Sequence, residues 1–552
     1  MKLLSFGLLY WRTLRHLKRA QWFALFALKL KRSHKAKAYA PKLTPLAGKW
    51  LSGPNTPGEF TAPNSFRFLN TSSDVEFANG WKVANATALW EYNLHYFHYI
   101  NSLEVPAAQC LRLIESWVND CKSGTAWAPY PTSLRIVNWI RFHNERSELP
   151  EHLLRNLTQQ VEHLSQNTER HLLANHYFAN GKALFIAGLF FQNERSEKWF
   201  HDGLSIIESE LDEQFLEDGG HFERSPMYQR ILTLDLFELV NASNGYPGRI
   251  PQRTVERIQE VAKRALRWMS GLRHPDGAYP LFGDSAYGIP PSDQEIFRFA
   301  GELAIELPAQ KSETRLLHFE ASGFARAEAG NFCLLADIGE IRASYQPGHA
   351  HADSLGFELS VGQKRILVDT GVDRYESGRE RTSQRSTAAH NCLSINHQNS
   401  QEVWSSFRVA RRARTSRIIA QTEGEEIIIH AQHDGYEKQN LAGPHSREWR
   451  LSPQALEITD TVTLNHPSSV SIFFIIHSDF IAKTRRDVIE LFHKDSLSTK
   501  AASINFDPKM SALAEPCSIC HQFGISQEGT RIELQCKTVG SFKHTTSIAI
   551  EQ

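Results

Sequence analysis

Apolar residues recur three and four positions apart through 107–118, 134–142, 153–164, 183–191, 199–215, 231–240, 255–272 and 295–305, the spacing that gives a helix one buried face. Near residue 316 the period drops from about 3.6 to two. Apolar and polar positions then alternate through FARAEAGNFCLLADIG, RIIAQTEGEEIIIHAQ, REWRLSPQALEITDTVTL, VSIFFIIHSDF, RIELQCKTV and TTSIAIEQ. A run of helices followed by a run of strands predicts two separately cored domains, a helical one over 41–315 and a β domain over 316–552. At 552 residues the chain is long enough for both. The Pro-, Gly-, Ser- and Thr-rich stretch 41–70 reads as an irregular lead-in.

Residues 1–40 form a third unit. Arg12, Arg15, Lys18 and Arg19 interrupt the apolar run, no small-x-small cleavage site follows it, and no stretch reaches the ~20 apolar residues of a membrane span. The segment predicts a basic, aromatic, amphipathic helix that is not cleaved. No acidic residue occurs before Glu59, which fits peripheral docking on an anionic membrane surface as well as packing on the helical domain. The expected location is cytoplasmic with membrane association, the periplasm being the alternative.

Lys+Arg 61 against Asp+Glu 61 leaves no net charge, so nothing global points to nucleic acid, and a polyanion would have to be held by a local cleft. Seven cysteines spread over the chain argue for a reducing compartment. Cys517-x-x-Cys520 has no second pair beside it and reads as two buried thiols. Nothing in the sequence specifies an oligomeric state.

The densest candidate chemistry lies between Gln346 and Cys392. His349 and His351 alternate across Ala350, which on a strand puts both on one face, and a hairpin pattern follows over 357–368 before Asp369. One of these imidazoles, the Asp369 carboxylate and His390 make the nitrogen and oxygen donor set that zinc accepts at ~2.0–2.2 Å.

The words HAHADSLGFEL, VDTG and RSTAAHN resemble the C-terminal half of the heparinase II/III family of polysaccharide lyases, which includes alginate and heparan lyases. The resemblance implies one zinc per chain held by His351, Asp369 and His390 in a structural role, with His349 left at the active site. It also implies the topology, an N-terminal incomplete (α/α) toroid followed by a C-terminal antiparallel β-sandwich, with the substrate cleft between them.

Three helical-half stretches resemble the same family. In LWEYNLHYFHYI and WAPYPTSLRIVNWI, the residues Trp127, Tyr130, Arg135 and Asn138 combine flat aromatic faces with a guanidinium, suited to stacking sugar rings and gripping carboxylates. Trp139 reads as helix core. In HLLANHYFANGKALFIAG, Asn175 and His176 open a helix; an Asn there is commonly a cap, but the resemblance gives it the uronate carboxylate. In LEDGGHFERSPMYQRILTLDLFEL, Glu223 and Arg224 are candidate substrate contacts beside His221, and the resemblance gives Tyr228 a role in proton transfer.

Together these residues suit β-elimination from a uronic acid. Asn175, with His176 or Arg135, would stabilise the carboxylate as charge builds on it. Tyr228 or His349 would take H5, and Tyr228 would protonate the leaving oxygen, with Tyr375 a second phenol for the same duty. The expected substrate is an acidic polysaccharide or oligosaccharide, in connection with the cell's own capsule or exopolysaccharide. Two alternatives share the cleft: a uronyl C5-epimerase, and a polysaccharide-binding protein without turnover.

Overall fold

The computed structural model describes residues 2–30, 36–306 and 315–550. Two helices open the chain, α1 (Lys2–Leu14) and α2 (Arg19–Leu30), where the sequence predicted one. Between them the ladder tightens: Leu17 N bonds Leu14 O, and the Gln21 side chain accepts from Lys18 N at 2.9 Å, capping α2. Residues 31–35 of the predicted helix lie outside the described residues.

The lead-in is not wholly irregular. Glu59–Ala62, Ser65–Phe68 and Thr71–Asp74 pair as a small antiparallel sheet. Phe66 and Phe68 share its buried face and meet Tyr99 and Trp90 at centroid distances of 5.0 and 5.1 Å. Strands of four residues inside a Pro- and Gly-rich stretch are too short for their alternation to stand out in the sequence.

The helical domain comprises α3 (Ala88–Tyr96), α4 (Ala107–Asp120), α5 (Pro129–Glu145), α6 (Glu151–Gln166), α7 (Ala174–Phe190), α8 (Ser196–Gln214), α9 (Pro226–Gly245), α10 (Gln252–Gly271) and α11 (Asp293–Glu302), arranged as an incomplete (α/α) toroid. The predicted helices all appear; those predicted over 134–142, 183–191 and 231–240 run eight to ten residues longer, mostly at their N-terminal ends, and α3 has no counterpart in the predicted set. α7 is buried almost throughout and packs on α8 through glycine: a Cβ at Gly188 would stand 2.5 Å from Phe200 N, and one at Gly203 would stand 2.3 Å from Phe185 N. At that separation only hydrogen fits.

From Leu316 onward the chain builds a 15-stranded antiparallel assembly that supplies the β-sandwich. Its backbone is the pair Ala455–Ile476 and Ile525–Ala549, strands of 22 and 25 residues. The sequence read each as two shorter runs. Their one register shift falls between Leu464 and Ser468, which accommodates Pro467, a residue with no N–H for the ladder.

The two domains are tied together by buried polar contacts. Arg224 donates to Ser322 O at 2.7 Å and pairs with Asp337, Trp268 Nε1 donates to Ser322 Oγ at 2.9 Å, and His274 sits between Glu358 and Ser360. The candidate residues gather along this seam.

Candidate functional site

Tyr130, Asn175, His176 and Tyr228 reach the seam from the first turns of helices, Glu223 and Asp284 from turns between them. Ser225 caps α9, its hydroxyl accepting from Tyr228 N at 3.2 Å, and Pro226 at the first helical position fixes the entry. That places Tyr228 at the mouth of the helix, its ring stacked on His349 with centroids 3.9 Å apart and planes 27° apart. The Tyr228 hydroxyl lies 3.4 Å from that of Tyr375. Burial pushes both phenols well above their usual range, so both carry their protons at neutral pH.

Asn175 is not a cap. α7 begins at Ala174, and the capping position is Leu173, whose side chain makes no capping bond. Leu173 and Ala174 both have positive φ, 61° and 53°, an unusual conformation for residues with a Cβ. This turn delivers Asn175, whose backbone N–H donates to Glu223 Oε1 at 3.4 Å, while among the described residues no protein group hydrogen-bonds its side-chain amide. Glu223 then reaches the β domain, its Oε2 lying 3.4 Å from His349 Nε2. Burial raises the Glu223 carboxyl above the usual range. His176 stacks on Tyr130 at 4.3 Å and holds Glu169 Oε1 at 3.1 Å through Nδ1, so these two rings form the next stretch of the same wall.

The centre of the arrangement is Asp284, which the sequence reading passed over. Gly283 takes φ 57°, and a Cβ there would come within 2.7 Å of His349 O; the turn lets Asp284 N donate to that carbonyl at 3.0 Å. The carboxylate then accepts from His349 Nδ1 at 2.9 Å on one oxygen and from His351 Nε2 at 2.8 Å on the other. Arg381 grips both oxygens, Nη2 at 2.7 Å from Oδ2. Burial alone would raise the Asp284 carboxyl, but the Arg381 guanidinium and the two imidazole donors hold it well below the usual carboxylate range. An FGDS turn in the irregular stretch between α10 and α11 carries no periodicity, so only its Gly-Asp chemistry could have flagged it.

His349 and His351 do not lie on a strand. They sit in an irregular loop, and what brings both rings to one place is the shared Asp284 carboxylate, with Arg385 donating to Ala350 O at 2.9 Å and Gln401 to His351 O at 3.1 Å from behind. Because Asp284 accepts hydrogen bonds from His349 Nδ1–H and His351 Nε2–H, the lone pairs left over are on His349 Nε2 and His351 Nδ1.

The donor chemistry of the expected zinc set is present and buried. His351 Nδ1 and His390 Nε2 have no hydrogen-bond partner, and their rings lie 5.3 Å apart. Burial pushes the His351 ring down to about 4, which keeps it neutral as a ligand must be. Asp369 is turned onto His390, Oδ2 to Nδ1 at 2.7 Å, with Oδ1 accepting from Gly371 N at 3.0 Å. Two bare imidazole nitrogens beside a carboxylate suit zinc, although among the described residues no group of three or more such side chains already converges on one point.

Other expected contacts are placed elsewhere. Arg135 is fully buried, donates to Gln160, Thr132 and His95 O, and lies 4.0 Å from the Trp117 ring centroid; it holds helices together and does not face the seam. Asn138 bonds Tyr96 O at 2.8 Å and Asn101, again inside the domain. Trp127 stacks on Trp117 and donates to Cys121 O at 3.0 Å. Trp139 is core, as read. Arg224 is the interdomain tie described above, not a free substrate contact. Arg381 and Arg385 are buried, the first on Asp284 and the second on main-chain carbonyls. All seven cysteines are free, Cys520 buried and Cys517 half-buried.

Comparison with known proteins agrees with the order of a helical region followed by a β region. The model for the heparinase II/III N-terminus matches residues 87–292, and the model described as heparinase II/III-like, C-terminal, matches residues 311–532. The chain is 26% identical over 311 residues to a heparin-sulfate lyase of Pedobacter heparinus, an alignment covering 50% of this chain and 44% of that protein. It is 22% identical over 336 residues to a heparin-sulfate lyase of Bacteroides stercoris, covering 57% and 47%. The chain thus spans about half the length of these curated relatives. Among solved structures, heparinase III superposes with a TM-score of 0.68 at 16% identity, covering 85% of this chain and 78% of that one, a likeness of fold.

Proposed function

The chain belongs to the heparinase II/III family, and on that footing we propose that it is a polysaccharide lyase that cleaves a uronic-acid-containing polysaccharide by β-elimination. The observation that carries this reading is the stack of Tyr228 on His349, a proton-bearing phenol and a hydrogen-bond-oriented imidazole side by side at the domain seam.

Elimination needs three things of the protein. The uronate carboxylate must be held so that charge from C5 can spread onto it, a base must remove H5, and an acid must protonate the oxygen leaving C4 as the C4–C5 double bond forms. The unengaged Asn175 amide, with the raised Glu223 carboxyl and His176 beside it, suits the first duty. His349 suits the second, because Asp284 accepts the hydrogen bond of its Nδ1–H and leaves the Nε2 lone pair to accept H5. Tyr228 suits the third, with the Tyr375 hydroxyl 3.4 Å away to reload it. Burial keeps the phenol protonated, so it has a proton to donate and no phenolate with which to accept one.

Zinc would be held by His351 and His390 with Asp369, and when bound would supply a structural cross-link behind the loop that carries His349. The proton movements above use only the protein's own groups.

The names of the relatives make heparan sulfate and heparin the first substrates to try; alginate and capsule or exopolysaccharide uronates belong to the same chemical class. Incubating the purified protein with a panel of these polymers, and following absorbance of the unsaturated uronate together with product masses, tests the proposal. Products bearing a 4,5-double bond are expected. Deuterium uptake at C5 without chain scission would make it an epimerase instead, and binding without either would make it a lectin-like protein.

A further inference from the structure

The helices α1 and α2 attach to both domains by their polar side chains and leave their apolar ones outward. Arg12 pairs with Glu402 at 2.7 Å and Thr13 accepts from Trp404 Nε1 at 3.1 Å, both on the β domain. Lys18 pairs with Glu213 at 2.6 Å, and Gln21 donates to His171 O at 3.2 Å, both on the helical domain. The outward side carries Phe6, Trp11, Phe23 and Phe26, exposed by 60%, 59%, 74% and 65%, with Leu8, Trp22, Leu28 and Leu30 exposed beside them. An apolar surface of this size on a folded chain marks a place where something docks.

Charge decides between occupants. Arg15 in the turn between the helices and Arg19 and Lys29 on α2 are exposed, the sequence continues through Lys31, Arg32 and Lys35, and no Asp or Glu occurs before Glu59. A second copy docked through this face about a two-fold axis would set these cations against themselves with no carboxylate from the segment to answer them. A sulfated or carboxylated polymer would answer the cations and leave the aromatics wet. An anionic lipid surface answers both, with aromatic rings at the headgroup level and lysines and arginines against the phosphates. At 13 and 12 residues the helices are about 20 and 18 Å long, short of the ~30 Å hydrocarbon core. Among the described residues no helix is long and apolar enough to cross a membrane.

We propose that the α1–α2 segment is a peripheral docking element for anionic membranes, lying in the headgroup plane by its exposed aromatic side chains. Because the same segment is bonded to His171, four residues before Asn175, and to Glu402, docking also sets the orientation of the seam to the lipid surface.

The test is co-sedimentation of the full chain with vesicles of phosphatidylcholine alone and of phosphatidylcholine mixed with phosphatidylglycerol. Binding to the mixed vesicles is expected, falling as salt rises from about 0.1 to about 0.5 M. The triple variant Trp11→Ser, Phe23→Ser, Phe26→Ser should keep its melting profile and lose roughly tenfold or more in vesicle affinity. A second variant, Arg15→Gln, Arg19→Gln, Lys29→Gln, alters only exposed polar ends and should lose the preference for phosphatidylglycerol, so the idea is tested even if the first set misfolds. Absence of binding by the unaltered chain would overturn the proposal, as would equal binding by the charge variant. So would a monomer-to-dimer shift that depends on Trp11, Phe23 and Phe26 and is not matched by vesicle binding, since the face would then belong to a second copy. None of these readouts uses polysaccharide cleavage, so the outcome is independent of the proposed activity.

Discussion

Asp284 and His349 are bonded across the domain seam, carboxylate Oδ2 to imidazole Nδ1 at 2.9 Å, and the other oxygen of the same carboxylate holds His351. One buried side chain of the helical half therefore sets the tautomers of both histidines of the H-x-H pair. Asp284→Asn presents an amide that can donate to Nδ1, which moves the ring proton to Nε2 and removes the lone pair the proposed base uses. On a confirmed substrate kcat is expected to fall by about 10² or more with little change in KM. A loss confined to KM would place Asp284 in substrate binding instead.

Tyr228→Phe removes a hydroxyl and keeps the ring that stacks on His349. Turnover should drop by about 10²–10⁴ while thermal stability stays near that of the unaltered protein. Tyr375→Phe should cost less, since its hydroxyl reaches the reaction through Tyr228. Parallel kcat measurements on the two variants settle the order; a reversed ranking assigns the proton to Tyr375.

The zinc assignment predicts one ion per chain by metal analysis, and less than a tenth of that in His351→Ala or His390→Ala. A chelator should lower the melting temperature of the unaltered protein, because the ion would bind only the folded chain. A protein that melts identically with and without chelator, and carries no zinc, refutes the site.

Acid should destabilise the helical domain through its buried histidines. Burial pushes His95 and His221 down to about 3, so both stay neutral in the folded chain while the unfolded chain takes up protons near pH 6.5. Their contribution is complete above pH ~6.5 and is lost as pH falls from there toward 3, by about 1.4 kcal/mol per pH unit for each ring. Denaturant midpoints measured between pH 7 and pH 5 should fall accordingly. His95→Gln, which retains an acceptor for Trp117 Nε1, should flatten the slope.

How much of this was legible in the sequence follows from which forces act locally. The helices of the first domain and the strands of the second write their burial into a period of 3.6 or 2, so their existence is legible, whereas the N-terminal turns of α5, α7 and α9 extend beyond the predicted bounds and the two longest strands read as two runs each. The motif words brought out Tyr228, His349, Asn175 and Glu223, which the fold gathers at one seam. Arg135, Asn138 and Arg224 were misread because a guanidinium or amide looks the same in a sequence whether it will meet a sugar or a main-chain carbonyl. Asp284 and Glu169 were missed for the converse reason. Their meaning lies wholly in partners 65 and 7 residues away, brought to them by turns that no periodicity announces. The H-x-H pair was taken for a strand because its alternation is real, whereas the loop is held by Asp284, Arg385 and Gln401 from outside.

The left-handed turn at Leu173 and Ala174 sets a limit on how robust this protein can become without losing its purpose. Two consecutive side-chain-bearing residues at positive φ cost of order 1–3 kcal/mol each. Glycine at 174 would relieve part of that and raise the melting temperature, yet it would also free the first turn of α7 to wander, and with it the Asn175 amide. Selection for durability alone would therefore relax this turn early, and a chain tuned that way would be expected to outlast the present one while turning over more slowly.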